Sequence, residues 1–174
     1  MRARLRSEEG FGLIEPLMAM VMLNIGILAV VAAFNSSMLS LNRASQISTA
    51  STLADAQLEL YRAITYTAIG LNSTSLSSVD NTYKCDAALG ASCPNSTSGE
   101  VTATCTGVPN ECNPSRVVTG ADRKSYRIDS YITTSTLTGG RAIKVVTVVV
   151  RNANALSARP FARISSTFDQ STGL

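Results

Sequence analysis

The stretch GFGLIEPLMAMVMLNIGILAVVAAF, Gly10 to Phe34, decides how the rest of the chain is read. From Phe11 onward it is apolar apart from Glu15 and Asn24. At 1.5 Å per helical residue it spans about 36 Å, enough to cross a bilayer core of about 30 Å. Arg2, Arg4 and Arg6 precede it. The positive-inside bias then keeps the first residues in the cytoplasm and sends everything after Phe34 outward. The expectation is a single-pass protein of the cytoplasmic membrane with its C-terminal domain outside the cytoplasm. One residue resists that description. A carboxylate with no partner costs about 2–3 kcal/mol at the centre of a bilayer, so Glu15, followed at once by Pro16, calls for a reason.

The remaining composition narrows the function classes. With 174 residues, 45% hydrophobic and 5% aromatic, the chain has material for one modest exported domain. A net charge of +3, small and scattered, supports neither a nucleic-acid footprint nor an acidic partner. The sequence contains no histidine, which removes Ser-His-Asp and Cys-His nucleophiles and imidazole metal sites. No glycine-rich phosphate loop is present, and no carboxylate pair is singled out by spacing. The chain is therefore not expected to be an enzyme or to carry a cofactor.

Cys85, Cys93, Cys105 and Cys112 fall in a stretch rich in Ser, Thr, Asn, Gly and Pro. Their spacing lacks the short C-x2-C knuckle of zinc sites, and the exported side is oxidising, so two disulfides are expected and no metal. Four cysteines allow three connectivities; the local one, Cys85–Cys93 with Cys105–Cys112, is the expected pairing.

Three zones follow. Residues 11–34 form the apolar half of a long helix, and 35–69 its amphipathic continuation, with Leu53, Ala56, Leu60 and Ile64 as the buried stripe. Turn formers in GLNSTSLSSVDN, residues 70–81, end it. Residues 70–120 read as loop, with VTATCT (101–106) the one strand-like piece. SYRIDSYITT (125–134), RAIKVVTVVVR (141–151) and PFARISSTF (160–168) read as strands, the first two joined through Thr138, Gly139 and Gly140. The sequons at Asn72 and Asn95 read as polar loop. The fold class is α+β: a long N-terminal helix, membrane-spanning in its first half, against a small antiparallel sheet in an exported domain of residues 70–174.

This order of parts, together with Gly10-Phe11-Gly12-Leu13-Ile14-Glu15, resembles the type IV prepilins and the type II secretion pseudopilins, and LMAMVMLNIGILAVVAAF and LADAQLELYRA look most like their minor subunits. Gly10, Phe11, Leu13, Ile14 and Glu15 match the family motif position by position, whereas Gly12 stands where threonine or serine is common and Pro16 where an apolar residue is usual. Pro16 cannot donate to the Gly12 carbonyl and should kink or delay the helix. The resemblance implies a type IV pilin-like fold and a basic leader, residues 1–10, removed by a prepilin peptidase between Gly10 and Phe11. It also implies N-methylation of Phe11 and an assembly contact in which Glu15 pairs with the Phe11 ammonium of a neighbour. The implied partners are other pilin or pseudopilin subunits, the peptidase, an inner-membrane assembly platform and, before assembly, membrane lipid. The implied role is that of a minor pilin or minor pseudopilin. The competing readings are a tip module that binds a surface, DNA or a secreted substrate, and a non-assembling domain. In the last, Glu15 snorkels from a plain anchor, or AVVAA (29–33) marks a signal-peptide cut.

Overall fold

In the computed structural model helix α1 runs Ile14–Arg62. The structure describes residues 12–105, 109–136 and 140–170. Pro16 falls in the first turn of α1, where its missing N–H has no intrahelical acceptor to serve. The helix nevertheless starts before this proline, at Ile14, and runs through it without a break, with Glu15 N–H donating to Gly12 O at 2.9 Å. The chain divides into two compact units, Met1–Arg43 and Ala44–Leu174, and α1 contributes to both.

In the second unit α1 is followed by a 3-10 turn, Tyr66–Ala68, and two short helices, α2 (Ser73–Ser77) and α3 (Asn81–Lys84). Four strands follow: β1 (Ser115–Thr119), β2 (Ser125–Thr136), β3 (Ala142–Asn152) and β4 (Ala162–Phe168). They form one antiparallel sheet in the order β1-β2-β3-β4. The expected hairpin between β2 and β3 is present, with Thr136 opposite Ala142; Thr138 and Gly139 lie outside the described residues.

Strand alternation gives the sheet two faces. On one, Tyr126, Ile128 and Ile132 of β2 and Val146, Val148 and Val150 of β3 pack against Ala50, Ala54, Leu58 and Tyr61 of α1 in a common core. Ala50 and Ala54 are fully buried: small side chains let the helix backbone approach the sheet, while Leu58 and Tyr61 supply apolar area at about 1.5–3 kcal/mol each. The buried face therefore runs Ala50, Ala54, Gln57, Leu58, Tyr61. This corrects the expected stripe, for Ala56 is exposed and Leu60 only half-buried, while Leu53 and Ile64 pack at the margin of the core. Gln57 belongs inside because its amide is used: Nε2 donates to Asn110 O at 3.0 Å and Oε1 accepts from Arg116 NH2 at 2.8 Å.

The helix also ends earlier than Ile69. The β-branched run around Ile64, Thr65 and Thr67 favours helix poorly, and the carbonyls released there are taken up by Lys144. Its Nζ donates to Tyr66 O and Ile69 O, both at 2.7 Å, and lies 4.6 Å from the centroid of the Tyr66 ring.

The second face of the sheet is covered by the zone expected to be loop, and that expectation is corrected. Asn72 accepts from Ser75 N–H and caps α2, and Asp80 accepts from Tyr83 N–H and caps α3. Tyr83 then stacks on Tyr131 with ring centroids 4.3 Å apart. Val101 to Cys105 of VTATCT form no strand, and Thr106 lies outside the described residues. Val101 and Ala103 bracket Leu71 through Leu71 N–H to Val101 O (2.9 Å) and Ala103 N–H to Leu71 O (3.0 Å), which leaves only isolated bridges at Thr102 and Glu100. The approach is close: a Cβ on Gly70 would lie 2.8 Å from the backbone of Thr102 and Ala103. SRVVT, read as loop, is strand β1.

Candidate functional site

Every side chain from Gly12 to Ala44 is exposed, including Leu13, Leu17, Met20, Leu28 and Phe34. A helix apolar on all sides has no stable place in water; it needs lipid or other helices around it. By length and composition this part of α1 is a candidate membrane span. Some of its polar donors are turned inward onto the helix: Asn24 Nδ2 donates to Met20 O and Ser37 Oγ to Ala33 O, each at 2.9 Å. Such self-satisfaction is what a surrounding without water requires. A Cβ on Gly26 would meet nothing within 4 Å, so packing inside this chain does not call for glycine there.

Glu15 stands in the first turn of α1, exposed, at the end where the helix dipole favours a negative charge. Its carboxylate has no hydrogen-bond or ion-pair partner among the described residues. Gly10 and Phe11, where cleavage and methylation are expected, lie outside the described residues.

The structure joins Cys85 to Cys93 and Cys105 to Cys112, with Cα atoms 4.6 and 6.5 Å apart. Both bridges are tied to the covering layer. Asn95 N–H donates to Lys84 O at 2.9 Å just outside the first loop, and Cys112 O accepts from Asn72 N–H at 2.8 Å beside the second. With both bridges formed, no thiolate is left for a metal.

Beneath this layer runs an alternating chain of charges that the sequence reading missed. Asp80 accepts from Arg127 NH2 at 2.8 Å, and Arg127 Nε donates to Asp129 Oδ1 at 2.7 Å. Asp129 Oδ2 faces Arg151 Nε at 3.2 Å; Arg151 NH2 reaches Asp86 Oδ2 at 2.6 Å, and Asp86 Oδ1 accepts from Arg163 NH2 at 2.5 Å. Arg127, Asp129, Arg151 and Asp86 are buried. The Arg127 hydrogen bond holds the Asp80 carboxyl down at about 2. Burial pushes the Asp129 carboxyl up, against the pull of Ser115 and the two guanidinium groups. The only hint in the sequence was the alternation of Arg127 and Asp129 along a strand; the rest depends on register.

Glu100 is also buried. Tyr83 Oη lies 2.7 Å from Glu100 Oε1 and 2.6 Å from Ser130 O. One phenolic proton cannot serve two acceptors, so the arrangement balances when Glu100 carries a proton and donates to Tyr83, which donates to Ser130. Burial, working against the Tyr83 and Ile132 hydrogen bonds, lifts the Glu100 carboxyl to about 7.

The chain matches no family model, and no curated protein or solved structure matches it.

Proposed function

We propose that the chain is a minor pilin or minor pseudopilin, a structural subunit released from its leader by a prepilin peptidase and built into a filament through the first part of α1. The observation that supports this reading best is the contrast within one helix. From Ala50 on, α1 serves as core of the exported unit, whereas up to Phe34 it is apolar on every side apart from Glu15 and Asn24, and every side chain as far as Ala44 is exposed. Lipid satisfies that surface before assembly, and the helices of neighbouring subunits satisfy it afterwards.

Glu15 acquires its reason in the same scheme. Cleavage after Gly10 creates an ammonium on Phe11, and the unpaired carboxylate of one subunit neutralises the ammonium of the next. A buried pair is tolerable where a lone buried charge is not. Because only one docking position pairs both charges, the contact also sets register.

The test has two stages. Mass spectrometry of the membrane-extracted protein should find a mature chain beginning at Phe11; a chain beginning near Phe34, or one retaining the leader beside an active peptidase, refutes the reading. Glu15→Gln should then be inserted and cleaved normally but depleted from sheared filaments, since removing one member of a buried pair costs about 3 kcal/mol or more. Incorporation equal to the native subunit would show that the carboxylate is not an assembly contact.

A further inference from the structure

One group of residues takes no part in the N-terminal helix, the disulfides or the core. Arg151 at the end of β3, Arg159 in the β3–β4 connection and Arg163 of β4 converge with Asp86 around an open pocket of about 480 Å³. The charges there do not cancel: Arg151 is shared between Asp86 and Asp129 and Arg163 pairs with Asp86, so Arg159 leaves one positive charge in excess.

The location of the excess is defined. Asp86 is fully engaged: Oδ2 accepts from Arg151, and Oδ1 accepts from Arg163 and from Ala88 N–H at 2.9 Å. Arg151 is also turned inward to Asp129. Arg163, by contrast, commits only NH2, and Nε and NH1 have no partner among the described residues. Arg159 is exposed and has no hydrogen-bond or ion-pair partner among them at all. Thr82 and Ser157 add hydroxyls to the lining, and neither enters a side-chain hydrogen bond among the described residues. Leu156 and Pro160 provide an apolar patch between these donors.

We propose that this pocket binds a small ligand carrying an oxyanion, a carboxylate or a phosphate, on a hydroxyl-bearing body such as a sugar ring. Guanidinium forks match the planar edge of a carboxylate and two oxygens of a phosphate. Arg163 is already held in place by Asp86, so only Arg159 must be ordered on binding, which limits the entropic cost. The hydroxyls of Thr82 and Ser157 suit a polyhydroxylated ligand, and the volume lies within the range of small-molecule sites, about 300–1,000 Å³.

Isothermal titration of the full chain in zwitterionic detergent, at low and at physiological salt, tests the proposal with three probes: glucuronate, glucose 6-phosphate and neutral glucose. At least one acid should bind and glucose should not, and the tighter acid identifies the carboxylate or the phosphate as the preferred group. Arg159→Gln, which removes no contact of the folded chain, should keep the native melting temperature and weaken the acid about tenfold, the equivalent of one partly exposed charge-assisted contact. Arg159→Lys should recover part of that loss. Absence of binding by both acids, equal binding by glucose, or unchanged affinity in Arg159→Gln overturns the proposal.

Discussion

Replacing Glu100 by glutamine should make the protein more stable at neutral pH, and the gain should vanish in acid. The carboxyl titrates near 7 in the folded chain against an ordinary 4.5. Below the unfolded value both states hold the proton and the site makes no difference. As pH rises from 4.5 towards 7 the unfolded chain releases its proton first, so the folded state loses ground until its own carboxyl ionises; above about 7 the loss is complete. At 1.36 kcal/mol per pH unit the full loss is about 3 kcal/mol. Glutamine keeps the shape and the neutral charge, and its amide can donate to Tyr83 as the protonated acid does, leaving Tyr83 free to donate to Ser130. Guanidinium unfolding of the full chain in zwitterionic detergent, disulfides intact, should give equal midpoints for the two proteins at pH 4. At pH 8 the variant should be ahead by about 3 kcal/mol, or roughly 10 °C in a parallel thermal scan. The other titrating groups are common to both proteins and cancel in the difference. A constant difference between pH 4 and pH 8, or a variant less stable at pH 8, would refute both the proton assignment and the argument from one phenolic hydrogen and two acceptors.

Lys144→Met should strip the Tyr66 and Ile69 carbonyls of their donor at a cost of about 2–4 kcal/mol, and hydrogen exchange should quicken over residues 62–71; native-like protection there would contradict the role given to the lysine. Asp129→Asn should lower stability by about 3 kcal/mol or more, because Arg127 and Arg151 are left buried beside a neutral amide; denaturant midpoints measure it, and a neutral result would mean that Asp80 and Asp86 suffice to balance both arginines. Non-reducing mass spectrometry should find no free thiol, and converting Cys105 and Cys112 to serine together should cost about 2.5 kcal/mol, the loop-closure entropy of a short bridge; four alkylatable thiols in the native protein would overturn the pairing.

The membrane-length helix was legible because a long apolar run with one charge has few other uses, and β2, β3 and β4 because their β-branched residues cluster between turns. The buried face of α1 departs from the expected stripe because aliphatic spacing alone does not define a core: the sheet selects two alanines for close approach and accepts Gln57 and Tyr61. β1 was overlooked since SRVVT is short and lies between Pro114 and Gly120, and VTATCT appeared the better strand; its backbone instead bonds to Leu71 and Ile132. The charge chain was beyond reach: Asp80, Asp86, Arg127, Arg151 and Arg163 become neighbours only once strand register is set, and no local spacing encodes that. At the N-terminus, Glu15 could be singled out from sequence, but its proposed partner belongs to another copy of the chain.

The strand order of the sheet has a kinetic consequence. Because β1 to β4 are neighbours in the order in which they occur, every ladder is a hairpin closed over a short loop, and such contacts form early at low entropic cost. The ties between α1 and the sheet are of the opposite kind: Arg116 reaches back 59 residues to Gln57, and Lys144 reaches 78 to Tyr66. The last turns of α1 therefore wait for a surface that residues 115–168 must first complete. Substitutions within the hairpins should mainly slow folding, whereas those at the helix–sheet ties should mainly hasten unfolding. Because the chain is made from its N-terminus, the docking face of the helix is the first part of the folded unit to appear and the last to find its partner.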